Sequence, residues 1–240
     1  DNKKDLFVNH SINQNKIHTN IYDKVKSAIN HDQKKYLMNM FIYGPSGSGK
    51  MTLAKYAIEE YTDCKINLEE KKFSNDSKEL IYYKGKYHYE IVINKYNFND
   101  INLVTSLLNY ITFKDKGHFS IKSNIILIKN IYFLRSEILL LLKNYIEKYI
   151  EFNTFIFISN KFIPKEFNGF FMNIRVPSPK NKDFLLLGKQ YSNDYKIKYK
   201  ESEILEIASM SRRSFTKFRN IFEISYLDGS YEKYIDSDND

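Results

Sequence analysis

A glycine-rich loop between an apolar run and a helical pattern constrains this chain more than any other feature. Residues 44–50 read Gly-Pro-Ser-Gly-Ser-Gly-Lys, after the short apolar run 38–43 and before the helical pattern 53–61. The order is therefore strand, glycine loop, helix. Glycines let backbone N–H groups turn inward around a phosphate, Lys50 supplies a cation, and the helix presents its positive N-terminus. The sequence predicts a P-loop that binds ATP or ADP. The alternative is a loop that keeps this shape without nucleotide.

The predicted nucleotide contacts extend from the loop into the first turn of the helix. They are Gly44, Pro45, Ser46, Gly47, Ser48, Gly49, Lys50, Met51 and Thr52.

The remaining apolar patterns predict an α/β fold with a mainly parallel sheet and helices on its faces. Further buried strands are predicted at 124–128, 154–159 and 172–176, a hairpin at 80–83 and 87–93, and helices at 20–31, 100–111, 136–149 and 180–223. Pro177 and Pro179 break the pattern. We therefore expect a nucleotide-binding core over residues 1–176, a small helical domain over 177–227 and an acidic, flexible tail over 228–240.

The charge and the cysteine content restrict the cellular compartments and the kinds of partner that suit this chain. The net charge of +8 and the pI of about 9.1 suit an anionic partner such as nucleic acid. An AT-rich genome, which enriches lysine codons, explains the same charge. The single cysteine, Cys64, excludes a disulfide framework within the chain. No apolar run approaches the roughly 18–20 residues that cross a membrane. We expect a soluble, intracellular protein with no membrane partner.

Two positions that usually serve magnesium and hydrolysis carry unsuitable side chains. Met51 stands where a serine or threonine hydroxyl normally binds the metal, and its thioether is a poor ligand for a hard cation. Thr52 is rotated by about 100° around the helix and does not replace it. The strand 125–128 is followed by Lys129 and Asn130 in place of carboxylates. The sequence predicts weak or absent Mg²⁺ binding and assigns no catalytic residue and no metal ligand, unless the acidic strand lies elsewhere.

Short motifs in a fixed order resemble the AAA+ small subunits of the clamp loader, replication factor C. The resemblance extends from Phe41 to Glu223, about three-quarters of the chain. It rests on Gly-Lys-Met-Thr at 49–52, Tyr-His-Tyr-Glu at 87–90, the helix end at 142–149, the strand 155–160 and the junction 174–179. It implies an AAA+ P-loop core followed by a helical lid, with Asn160 as a sensor that contacts the γ-phosphate or the attacking water. The alternative for Asn160 is a turn residue after a strand.

The same resemblance places the family's hydrolytic groups on residues of different chemistry. The acidic pair falls on Lys129 and Asn130, and the motif with the arginine finger falls near residues 169–171, which contain no arginine. The sensor-2 arginine falls on Thr216, while Arg212 and Arg213 lie about one turn away.

The resemblance therefore implies a degenerate subunit that binds nucleotide with little or no hydrolysis. Its expected partners are other AAA+ clamp-loader subunits, a sliding clamp and primed DNA, at a site of replication in a nucleus, organelle or viral factory. The DNA-facing candidates are basic, although a solvated basic face explains them too: Lys143, Lys148, Arg212, Arg213, Lys217 and Arg219. Two alternatives remain open: a nucleotide-free structural subunit of a replication or transcription assembly, and an ATPase of another P-loop class.

Overall fold

The computed structural model describes residues 17–30, 36–75, 78–93, 101–114, 124–162, 165–167, 169–194 and 199–228. These residues form two compact units. One contains β-strands and most helices, over residues 20–44 and 50–175. The other contains residues 17–19, 45–49 and 176–228. The predicted boundaries of core, lid and tail remain predictions, and residues 229–240 lie outside the described part.

The larger unit is built on a seven-stranded sheet. Five neighbouring strands, β6 (His88–Val92), β7 (Asn124–Lys129), β8 (Asn153–Ser159), β3 (Met40–Tyr43) and β9 (Met172–Arg175), are parallel. The predicted mainly parallel α/β fold is confirmed.

An antiparallel extension lengthens the sheet at the β6 edge. Strand β5 (Lys78–Lys84) pairs with β6, which confirms the predicted hairpin. Strand β4 (Glu69–Asn75) pairs with β5 and was not predicted. Its sequence is mostly charged, as suits an edge strand exposed to water. A separate two-stranded ribbon joins β1 (Ile29–Asn30) to β2 (Tyr36–Leu37).

Helices cover the two faces of the sheet. Helix α1 spans Thr19–Ser27, α2 spans Lys50–Thr62, α3 spans Ile101–Asn109 and α4 spans Ser136–Tyr149. A π-helical turn, Tyr110–Lys114, continues α3, so this helix runs past its predicted end. Asp100, the first residue of the predicted helix 100–111, lies outside the described residues.

The alternation of strand side chains separates the two faces. Phe41, Ile126, Ile128 and Phe157 share one buried cluster with α3 and α4. That cluster contains no side chain of α2, although α2 contacts β3 and β8 and buries six residues. Helix α2 therefore packs on the opposite face, because neighbouring residues of a strand point to opposite sides.

The smaller unit has three helices, α5 (Asn181–Asp194), α6 (Glu201–Met210) and α7 (Phe215–Asp228). They enclose a second core that includes Phe184, Ile204, Phe218 and Phe222. Gly188 lies inside α5, although glycine usually destabilises the interior of a helix. It is required here because a Cβ at this position would collide with the Ile204 side chain. The predicted helical segment 180–223 is thus resolved into three helices.

Candidate nucleotide-binding site

The glycine loop leaves the sheet at the carboxyl end of β3, beside the end of β8. Tyr43 lies in register with Ser159, and the Gly44 N–H donates to the Ser159 carbonyl at 3.2 Å. On the other side of β8, Lys129 is in register with Ile158. The carboxyl ends of β3, β8 and β7 therefore lie side by side, the arrangement in which parallel α/β sheets bind ligands.

The loop 45–49 has a backbone that depends on glycine. Gly47 and Gly49 have φ angles of 71° and 96°, in the region that side chains rarely adopt. Within the smaller unit, the Phe215 N–H donates to the Gly47 carbonyl at 2.8 Å. A Cβ at position 47 would also collide with the Ser214 hydroxyl. Gly47 is thus required both by its dihedral angle and by its neighbour on the chain before α7.

The Ser48 hydroxyl points to a ligand in this loop. Its side chain is fully buried, and its oxygen has no hydrogen-bond partner among the described residues. A buried hydroxyl without a partner costs roughly 1–3 kcal/mol. A phosphate oxygen in the loop would accept a hydrogen bond from the Ser48 hydroxyl, so this part of the loop fits a nucleotide.

Lys50 begins α2 and is held close to the loop. Its side chain is 6% exposed, and its Nζ donates to the Gly44 carbonyl at 2.8 Å. Burial lowers the pKa of Lys50 to about 8. A bound phosphate would favour the ammonium form, so Lys50 has the placement and the proton affinity to neutralise a nucleotide phosphate.

The side chains at the predicted metal positions do not fit Mg²⁺. Met51 follows Lys50 on the first turn of α2, and Lys129 ends β7. Asn130 adopts a left-handed conformation, with φ of 60°, and its Nδ2 donates to the Ile93 carbonyl at 3.2 Å. A thioether, an ammonium and an amide turned toward the end of β6 offer no carboxylate to a hard cation.

Asn160 follows β8, as its predicted sensor role requires, but its amide is engaged locally. The Asn160 Nδ2 donates to the Tyr132 Oη at 3.2 Å, and the side chain is exposed. Phe171, at the position of the finger motif, is 8% exposed, and its ring lies 4.6 Å from that of Phe157. The segment on which the sequence resemblance places the arginine-finger motif is therefore partly buried in the core.

In the smaller unit, the structure shows the surroundings of the basic residues that the sequence analysis named near α7. Thr216, Arg212 and Arg213 lie around the start of α7, and both arginines are exposed and have left-handed backbones, with φ of 50° and 59°. Arg219, one turn further along α7, has a buried Nε without a partner in the described chain. Arg219 is thus a candidate nucleotide contact, in addition to its predicted place on a basic face.

His18 shares this environment. Its ring meets that of Phe215 edge to face at 6.4 Å, and its buried Nε2 has no partner within the described residues. Burial lowers the pKa of His18, against the raising effect of Asp183. No motif or periodicity marks His18 in the sequence. Only the burial of His18 next to Phe215 identifies it as a candidate contact for the nucleobase of a bound nucleotide.

No protein-family model and no curated protein matches the chain. Among solved structures, it is similar to the RuvB Holliday junction branch migration motor of Thermotoga maritima, at 13% identity and a TM-score of 0.58. Two variants of that protein give 14% identity, with TM-scores of 0.60 and 0.61. The alignments cover 88–89% of this chain and 64% of each RuvB chain.

This likeness defines the fold class. The described residues form an α/β fold with a mostly parallel seven-stranded sheet and helices, the fold of the solved RuvB structures. It spans less than two-thirds of the RuvB chains, so their activity and partners do not transfer with the fold. In the described residues, no helix has the length and apolar character needed to span a membrane.

Proposed function

We propose that this chain is an AAA+-type subunit that binds ATP or ADP and hydrolyses it little or not at all. The carrying observation is the contrast between the preserved phosphate loop, with buried Lys50 and Ser48, and the end of β7, which bears Lys129 and Asn130. Hydrolysis needs metal ligation, a positioned water and charge neutralisation in the transition state. An arginine finger alone contributes roughly 10³–10⁵ in rate, and residues 169–171 hold none.

More specifically, we propose that the chain acts as a clamp-loader-like scaffold. The chain would join a ring of other AAA+ subunits and help to place a sliding clamp on primed DNA. The order of sequence motifs supports this role, as do the exposed Arg212, Arg213 and Lys217 near α7, which suit phosphate contacts.

RuvB of Thermotoga maritima is a Holliday junction branch migration motor. A motor role for the present chain would require turnover, and the residues that would support turnover are replaced here. The likeness to RuvB therefore supports the fold, whereas the replaced side chains favour a scaffold over a motor.

A nucleotide-free structural subunit is the second candidate. The Phe215 N–H already bonds the Gly47 carbonyl, and Ser214 packs against the loop, so part of the loop's shape is stabilised without a ligand. In this case the chain would assemble with its partners while its loop stays empty.

One experiment separates these candidates: native mass spectrometry of the chain purified with its partners, followed by titration of ATP and ADP and a turnover assay. We expect one retained nucleotide, copurified AAA+ subunits and no steady hydrolysis. Lys50→Ala should weaken nucleotide binding on the order of 100-fold, because a charged hydrogen bond to phosphate is lost. Lys55→Ala, on the same helix, is the matched control.

Each contrary outcome removes one part of the proposal. An assembly without nucleotide favours the structural subunit. Steady hydrolysis that Lys50→Ala abolishes would establish an active ATPase and contradict the central claim. Copurification with unrelated proteins would remove the clamp-loading role.

A further inference from the structure

We propose that the Lys129 ammonium takes the place of the divalent metal ion, so that this chain binds nucleotide phosphates without Mg²⁺. This inference rests on the proposed nucleotide-binding function and concerns the same site. The prediction of weak metal binding describes only a loss. The position of Lys129 indicates that a fixed positive charge compensates for it.

The sheet register places Lys129 at the correct edge. Lys129 pairs with Ile158 of β8, and Ile158 pairs with Ile42 of β3. One strand therefore separates Lys129 from the strand that leads into the loop. Two interstrand spacings amount to about 10 Å. Lys129 is the last residue of β7, at the carboxyl end from which the loop and Lys50 also emerge.

The alternation of side chains places Lys129 on the correct face. Ile126 and Ile128 belong to the buried cluster with α3 and α4, so Lys129 lies on the opposite face with Leu127. Helix α2 packs on that opposite face and begins at Lys50. The two lysines thus share one edge and one face of the sheet.

The surroundings leave the charge of Lys129 available. The side chain is partly exposed, and within the described residues no carboxylate forms an ion pair with it. Asn130 is turned toward Ile93 by its hydrogen bond. A lysine in place of an aspartate changes the local charge by two units, which repels a second cation and attracts phosphate. Met51 offers no hard ligand that would offset this repulsion.

The test is calorimetric titration of ATP into the full chain with excess MgCl₂ or with EDTA. For the wild type we expect dissociation constants within about twofold of each other. Lys129→Met should weaken binding in EDTA about tenfold or more, because a charged hydrogen bond to phosphate is lost. Lys129→Asp should bind poorly in EDTA and recover affinity with Mg²⁺, since it restores a hard carboxylate.

Two controls keep the result interpretable. Lys86→Asp makes the same charge change at the opposite, amino ends of the parallel strands, because exposed Lys86 lies in the connection just before β6, and it should leave metal-free binding unchanged. Lys129→Arg keeps the charge and should keep metal-free binding. Thermal unfolding of each variant shows whether it is folded.

The outcomes distinguish this inference from the proposed function. Two outcomes would overturn the role of Lys129 and leave the proposed nucleotide binding intact. One is wild-type binding that depends on Lys50 but requires Mg²⁺. The other is a folded Lys129→Met variant that still binds ATP in EDTA. Absence of nucleotide binding under both conditions would overturn the proposed function as well.

Discussion

Two regions at the carboxyl edge of the same sheet differ in how well their residues fit the chemistry of a P-loop ATPase. Where β3 leads into the loop and α2, the glycines, buried Ser48 and Lys50 have a geometry that fits a bound phosphate. At the ends of β7 and β8, Lys129 and Asn130 occupy the positions on which the sequence resemblance places the acidic pair, and the amide of Asn160, the predicted sensor, donates to Tyr132. The reason is physical: phosphate binding depends largely on backbone geometry and one cation, whereas hydrolysis needs several side chains in addition.

We expect the largest effect on nucleotide affinity from a substitution at Gly47, in the phosphate loop. Gly47→Ala introduces a side chain at a φ of 71° and a collision with Ser214, so we expect nucleotide affinity to fall on the order of 100-fold. Gly169→Ala is the matched control, because Gly169 has a φ of 91° but open space around a Cβ. It should cost about 1–2 kcal/mol of stability, with affinity unchanged.

Measured dissociation constants and thermal unfolding of both variants test this prediction. Equal losses of affinity in the two variants would show that backbone strain alone, and not the shape of the loop, controls binding.

A smaller effect concerns the proton on Lys50. Its pKa is lowered to about 8 by burial, and bound phosphate raises the pKa because it favours the charged form. Below pH 8 the lysine is protonated both free and bound, and affinity should be flat. Above pH 8 the free protein must take up a proton, so affinity should fall, by up to about tenfold per pH unit. Phosphate itself is fully ionised in this range, since its second pKa is near 6.

Calorimetry from pH 7 to 9.5, in two buffers of different ionisation enthalpy, measures both the affinity and the proton uptake. Lys50→Ala provides the baseline, with a pH-independent residual affinity. A wild-type affinity that stays constant to pH 9.5 would mean that Lys50 does not gain its proton from the ligand.

The smallest effect is expected at Asn160. Its amide must leave the Tyr132 hydroxyl to reach a γ-phosphate, so the net gain is that of one exchanged hydrogen bond. We expect Asn160→Ala to weaken ATP binding about threefold and to leave ADP binding unchanged. Tyr132→Phe releases the amide and should favour ATP slightly. Identical ATP and ADP responses in both variants would assign Asn160 to the turn alone.

Sequence patterns predicted much of the fold because the signals are local. The parallel strands are short apolar runs. The amphipathic patterns of α1 and α4 repeat within a few helical turns and can therefore be recognised in the sequence. Strand β4 escaped prediction because Glu69, Lys71 and their neighbours form no apolar pattern. Its strand conformation comes from pairing with β5, which supplies backbone partners that no local pattern records.

The candidate site was predicted in its chemistry but not in its surroundings. Lys50 and Lys129 follow from motif and order, yet His18 and Arg219 are identified only by buried nitrogens without partners among the described residues. Burial of an individual polar atom depends on side chains from distant parts of the chain, so no periodicity reveals it.

From the sequence alone we could predict the phosphate loop, most helices and strands, and the absence of carboxylates at the end of β7, because each depends on residues that are neighbours in the chain. Three facts are visible only in the tertiary structure: the Phe215 N–H donates to the Gly47 carbonyl, Asn130 is turned toward Ile93, and Lys129 shares an edge and a face of the sheet with Lys50. Those facts depend on strand order and helix packing, which bring together residues that are far apart in sequence and that local patterns cannot relate.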